Sequence, residues 1–316
     1  YKQCGDILSL GAAAENFIIS AQHLGYDVLL TPFPSSKDPF FVASFQLCHK
    51  GTQNTDIQSD QFVYLFSEIT ARMTNRQTGT GALLQPRHMD TLVQAAESIP
   101  GAQLRWLNQP DERHKIARII GESNKLRLLT PIYHAELMSK INWSEKESQL
   151  KGVGIDLKSL YLSRSDTAGL SLCRNWKNIE LLKQLNLGDR LSQIGRETIL
   201  NASALCLLTM PNQNYIDYFN AGRAVQRLWL SATRLSLSIY PMSALPYQFL
   251  RLRNDQNSLP TDILPSLLEL RSDYEDLFNL NQDESDVFLF CVSHTQEASH
   301  RSRRTPLSQV VLVDHH

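Results

Sequence analysis

The sequence predicts an α+β chain built of two related halves. Gly11-Ala-Ala-Ala-Glu-Asn-Phe-Ile-Ile-Ser-Ala-Gln-His-Leu-Gly-Tyr26 aligns without gaps to Gly222-Arg-Ala-Val-Gln-Arg-Leu-Trp-Leu-Ser-Ala-Thr-Arg-Leu-Ser-Leu237, with Gly, one Ala, Ser-Ala and Leu identical. Ala14, Phe17, Ile18, Ala21 and Leu24 match Val225, Leu228, Trp229, Ala232 and Leu235, the i, i+3, i+4, i+7 stripe of a helix with one buried face. Helices separate most of the remaining strand-like runs, which is an α+β pattern. Each copy also leads into an extended, proline-bearing segment, 27–34 and 238–246. A repeat of this span is not a solenoid unit. It implies halves packed as a homodimer would be, with any ligand site at their junction. The two helices should touch through small residues such as Ala21 and Ala232.

The elements follow in order. Residues 1–26 read as a helix, 27–34 as the start of a strand, and the prolines at 32, 34 and 39 as a loop. Phe40–Leu47 is β-prone, and Gln61–Arg72 is helical with Phe62, Leu65, Phe66 and Ile69 on one face. Helices are expected at 90–97, 111–128, 131–142, 175–185, 220–237 and 265–278. Strands are expected at 102–107, 204–210 and 287–292. Residues 245–253 read as a strand or short helix, and 299–313 as extended. Glu147–Tyr161 reads as irregular and glycine-bearing. With the residues up to Leu172 it forms a long stretch of the kind that serves as a lid or binding loop, expected to fold over the junction of the halves. The halves are placed at 1–60, a shortened first half, and 61–316, sharing one interface.

Composition narrows the function classes. A formal charge of −1 gives no general pull toward nucleic acid or anionic membrane. The chain is 42% hydrophobic, and no apolar run approaches the roughly 20 residues of a membrane span. Cys4, Cys48, Cys173, Cys206 and Cys291 are scattered and odd in number, which argues against zinc and against a disulfide framework and suits a reduced, cytoplasmic protein. The first residue is Tyr rather than Met, so the chain reads as part of something longer.

Gly79-Thr-Gly81 and Gly152-Val-Gly154 lack the third glycine of a dinucleotide fingerprint and read as turns. No phosphate-binding P-loop or nucleophile elbow occurs. His134 and Glu136 are two apart, the wrong spacing for a metal pair on one helix face. The most informative short motif is Arg72-Met-Thr-Asn-Arg76, in which two forked cations flank a hydroxyl and can converge on one phosphate. Alone it reads as a solvated helix end with two cations favoured by the C-terminal dipole. A second basic cluster, Arg301-Ser-Arg-Arg304, near the other end of the second half, strengthens the clamp reading.

Taken with the Gly-x-Ala-x-Gln-x-Leu-x-Leu-x-Ala helix and the Pro241-Met-Ser-Ala244 turn after it, these motifs resemble the FMN-dependent nitroreductase family. Gly11-Ala-Ala-x-x-Asn-Phe, Glu136-Leu137 before Trp143, and Gly154-Ile-Asp156 are similar to its duplicated single-chain Acg-type and ThiF-fused members. The resemblance implies a three-layer fold with a mixed, mainly antiparallel sheet and flanking helices. It implies FMN phosphate on Arg72, Thr74 and Arg76, a C-terminal cation from Arg301, Arg303 or Arg304, and the flavin ring beside Pro241 and Ser243. The chain departs from the family at its start, where no flavin-reaching segment of the Ala-Pro-Ser kind is present, and before the C-terminal arginines.

The implied activity is hydride transfer from NAD(P)H through FMN to nitro- or quinone-type acceptors. The protein then supplies phosphate charge, ring contacts and a dry pocket, so the absence of a catalytic triad or paired carboxylates is neutral. No catalytic residue and no metal ligand is assigned. The alternatives are an FMN-binding protein without turnover and a flavin-free accessory domain of a ThiF-like protein. The expected partners are a small-molecule substrate, an upstream ThiF-like domain and a second copy of the chain, with no nucleic acid and no membrane.

Overall fold

In the computed structural model the described residues are 3–50, 61–185 and 189–312. The chain opens with helix α1 (Cys4–His23) and a hairpin of β1 (Tyr26–Pro32) and β2 (Ala43–His49). Helices α2 (Phe66–Ala71) and α3 (Pro86–Glu97) precede β3 (Gln103–Leu107). Helices α4 (Pro110–Leu129) and α5 (Pro131–Lys140) lead to β4 (Ile141–Asn142), α6 (Glu145–Lys151) and β5 (Ile155–Asp156). Next come α7 (Arg164–Cys173), α8 (Trp176–Gln184), α9 (Asp189–Leu200) and β6 (Ala204–Met210). The last elements are α10 (Tyr215–Arg234), β7 (Ser238–Pro241), α11 (Ala244–Asn254), α12 (Leu264–Phe278) and β8 (Ser285–Ser293). Helices α3, α4 and α5 each start on a proline, whose missing N–H costs nothing in the first turn.

The main sheet has the order β3-β6-β8-β7, every neighbour antiparallel. Strand β6 is buried along its whole length, because both faces of the sheet are covered. Cys206, Leu208, Phe288 and Phe290 pack with α1, α3 and α10 on one face, while Leu205, Leu207, Leu289 and Cys291 pack with α4, α11 and α12 on the other. Alternation along the strands thus feeds two cores, and helix, sheet and helix form three layers. The short β4 and β5 form a separate parallel pair.

Helices α1 and α10 lie against one another, as the repeat predicts. Their backbones touch at Gly11 and Gly222, where a Cβ on either would come within 2.0 Å of a carbonyl oxygen of the other helix. This contact lies about three turns before Ala21 and Ala232, the small residues on which close approach had been expected. The helix ends match as well. Leu24 N–H donates to Ser20 and Gly25 N–H to Gln22, while the aligned Leu235 and Ser236 donate to Ser231 and Thr233. Gly25 and Ser236, also aligned, are both left-handed, with φ 89° and 55°. Beside this seam Glu15 is fully buried and accepts from Arg223 Nε at 2.8 Å and Arg227 Nε at 2.5 Å. The boundary placed at residue 60 lies outside the described residues.

Two segments differ from their sequence reading. Residues 245–253 are helical, within α11. The stretch 147–172 is not irregular, because helices α6 and α7 occupy most of it. Ser144 Oγ caps Glu147 N–H and Ser163 Oγ caps Asp166 N–H. Glu147 also returns a carboxylate bond to the Trp143 N–H. Both are Ser-x-x-acid capping patterns, legible in the sequence beneath the glycines that obscured them.

Candidate functional site

Arg72 is the residue that ends α2, and its extended backbone (ψ 128°) turns the chain away from the helix. Its guanidinium lies over the Trp229 ring, 4.6 Å from the centroid. That places a cation on the side of α10 and removes much of its hydration. The C-terminal segment then runs back alongside. Arg301 Nη2 donates to the carbonyls of Thr70 and Arg72, the latter at 3.4 Å, and Arg304 Nη2 donates to the Arg72 carbonyl at 3.3 Å. Arg301 and Arg304 therefore meet Arg72 from 229 and 232 residues away in sequence. Burial first, then the like charges of Arg304 and Arg301, pull the Arg72 pKa down to about 10.

Arg76 follows on the same segment. It sits over the Tyr240 ring at 5.9 Å and reaches Ser159 Oγ at 3.4 Å. Burial lowers its pKa, opposed by Tyr240 and Tyr161. Among the described residues no carboxylate lies within 4.0 Å of Arg72, Arg76, Arg301 or Arg304. Thr74 is half-buried between the two arginines and makes no hydrogen bond among the described residues. Arg303 turns elsewhere, toward Glu145 at 4.0 Å. Pro241 ends β7 opposite Phe290, and Ser243 stands at the start of α11 without a side-chain cap. The structure thus gathers Arg72, Arg301 and Arg304, while Arg76 faces Tyr240 and Ser159 instead, and Pro241 and Ser243 follow Tyr240 in the chain.

Contacts distant in sequence hold this arrangement. Asn75 Nδ2 donates to Thr295 Oγ1 and to the Gln296 carbonyl, both at 2.9 Å. His300 Nε2 meets Asp156 Oδ2 at 2.9 Å, and the His300 N–H donates to Tyr161 Oη. Sequence reasoning did not assign Ser159, Tyr161, Tyr240 or His300 to a site, since no spacing rule joins residues on three separate segments.

Beyond Tyr240 opens a cavity of about 790 Å³. Leu128, Leu160, Leu162, Leu170, Tyr240 and Met242 supply much of its apolar wall. The wall thus includes residues of the 155–172 part of the stretch, and its lining residues all lie between Asn124 and Met242, so this space is not the contact between α1 and α10 over which the stretch was expected to fold. Trp143 and Trp176 belong to the small core behind it, with Leu128, Cys173 and Ile179. Half-buried Arg72 and Arg76, exposed Arg301 and Arg304 without a carboxylate partner among the described residues, and an apolar space beyond Tyr240 can together hold a molecule with an anionic end and a large apolar body.

No family model matches the chain. A curated protein of Mycobacterium tuberculosis (strain CDC 1551 / Oshkosh), described as uncharacterized protein MT1398, is 28% identical over 240 residues, 76% of this chain and 33% of its own length. The chain therefore spans about a third of the curated relative it matches. Among solved structures, an FMN-bound nitroreductase from Bacteroides fragilis aligns with 79% of this chain and 98% of its own, at 9% identity and a TM-score of 0.42. An NADPH:FMN oxidoreductase from Vibrio harveyi, complexed with NAD+, aligns with 80% and 77%, at 10% identity and a TM-score of 0.43. Both TM-scores fall below 0.5, and neither likeness carries a functional argument.

Proposed function

We propose that this chain is an FMN-dependent oxidoreductase of the nitroreductase kind, its halves related by duplication. The observation that carries the reading is Arg72, held on Trp229 among Arg301 and Arg304 with no carboxylate to neutralise the cluster among the described residues. Burial and then the charges of Arg304 and Arg301 lower the Arg72 pKa to about 10, and an anion brought to the cluster would offset them. The donor set suits a phosphate monoester: forked guanidinium donors from two directions, with the Thr74 hydroxyl between them.

Arg72 and Arg76, with Arg301 or Arg304, would hold the FMN phosphate, and Pro241 and Ser243 would flank the ring. Bound FMN would supply hydride transfer from NAD(P)H to a nitro- or quinone-type acceptor. The chain's own contribution is binding and exclusion of water. Trp229 and Tyr240 desolvate the arginines, which strengthens their bonds to an anion. The aliphatic wall keeps the neighbouring space dry.

A second reading is FMN binding without turnover. The observation that favours it is the contribution of residues 155–172 to the cavity wall, where they would restrict access. Absorbance of the purified full chain at the flavin bands tests the cofactor, and NADPH oxidation with a nitroaromatic separates the two readings. A protein that takes up no FMN on titration overturns both.

A further inference from the structure

The cavity carries a feature that phosphate binding leaves unused. Asn124 and Arg127 lie three residues apart on one face of α4, and both line it. Arg127 is half-buried and makes no hydrogen bond or ion pair among the described residues. The carboxylate whose field it feels, Glu136, is taken by Lys140 Nζ at 2.8 Å. Lys140, Arg127 and Arg251 all act on that single acid, so Arg127 shares it with two other cations. Asp166, the other charged side chain in the lining, accepts from Ser163 Oγ at 2.6 Å.

A guanidinium at the wall of a leucine-lined space costs free energy unless something completes it. We infer that the cavity binds an apolar monocarboxylate, with its hydrocarbon against the leucines of α7 and α8 and its carboxylate on Arg127. The volume, about 790 Å³, falls within the range of small-molecule sites, roughly 300–1,000 Å³. Burial is the first cause lowering the Arg127 pKa, and a carboxylate brought to the guanidinium would offset it. Under the flavin reading a ligand of this class that also carries a nitro or quinone group in its apolar body is the electron acceptor, that group taking the hydride and a proton, and only that clause rests on the flavin.

The test uses dansylaminoundecanoic acid and its methyl ester, followed by dansyl fluorescence on the full chain. The acid should bind at least tenfold more tightly than the ester. Arg127→Leu should bring the acid down to the ester's affinity, while Arg127→Lys keeps a preference for the acid. A Cβ at Gly169, on the cavity wall, meets nothing within 4 Å. Gly169→Phe should therefore fill the space and weaken both ligands at least tenfold, in a helix position that loses nothing by gaining a side chain. Equal affinity of wild type for acid and ester overturns the inference without any variant. So does unchanged acid binding in folded Arg127→Leu, or unchanged binding of both ligands in Gly169→Phe. Flavin absorbance of the same samples reports separately. A chain that prefers the acid but takes up no FMN refutes the flavin reading alone.

Discussion

Gly11 and Gly222 press backbone to backbone in a reciprocal contact. A Cβ on Gly11 would stand 2.0 Å from the Phe219 carbonyl oxygen, and one on Gly222 would stand 2.0 Å from that of Leu8. Each carbonyl lies three residues before the other glycine, the symmetry of an isologous interface inside a single chain. Gly222→Ala gains about 1 kcal/mol of helix propensity. It also forces apart two backbones that cannot rotate out of the way. Overpacking of this kind costs about 1–3 kcal/mol and more where the neighbour is rigid. The expected outcome is a lowered urea midpoint, and a midpoint equal to wild type would show that the seam gives freely.

Glu15→Gln tests the charges beside that seam. Glu15 is fully buried between Arg223 and Arg227. Removing one partner of a buried ion pair leaves the others uncompensated and costs about 3–5 kcal/mol. Denaturant unfolding should register a loss of that order, and a near-neutral result would mean that water reaches the arginines.

Replacing Arg72 and Arg76 together by Ala should weaken FMN binding more than tenfold, since each charge-assisted bond contributes about 1.5–3 kcal/mol. Riboflavin, which has no phosphate, should lose far less. Equal losses for FMN and riboflavin in a flavin-fluorescence titration would remove the phosphate from this site.

The Asp156–His300 contact fastens the C-terminal segment. Burial raises the Asp156 pKa, but bonds from His300, Ser148 and Asn142 outweigh it and leave the net shift downward. A carboxylate with a depressed folded pKa adds stability that is present above its unfolded value, 3.8, and is lost as pH falls through the folded value below it. The segment should therefore loosen only under strong acid, and Asp156→Asn should loosen it at neutral pH. Faster tryptic cleavage after Arg301 in Asp156→Asn is the expected readout, and an unchanged rate would assign the fastening to Asn75 and Tyr161.

The capped helices over the cavity are open to mild change. Ser144→Ala and Ser163→Ala each remove an N-cap, at about 1 kcal/mol of local helix stability. If this stretch limits access, the double variant should exchange bound flavin faster while its global melting temperature falls only slightly. Identical exchange rates would make 147–172 a fixed wall.

Local physics set what the sequence determined by itself. The paired helices were legible because a buried face imposes its 3.6-residue period wherever the helix lies. Strand β6 was legible because burial on both faces demands an unbroken apolar run, and α3, α4 and α5 begin on prolines that announce them. The Arg72-x-Thr-x-Arg76 spacing suggested a cationic clamp because its donors lie within one short segment. Tertiary structure alone decided what surrounds those arginines. Arg72 lies on Trp229 and Arg76 on Tyr240. Arg301 and Arg304 arrive across the fold while Arg303 turns to Glu145. It likewise decided that the helices close on Gly11 and Gly222, and that Arg127 faces a cavity. Nothing in a linear spacing fixes such pairs, because they depend on how helices and sheet stack, and stacking is settled by the packing of all the apolar surface at once.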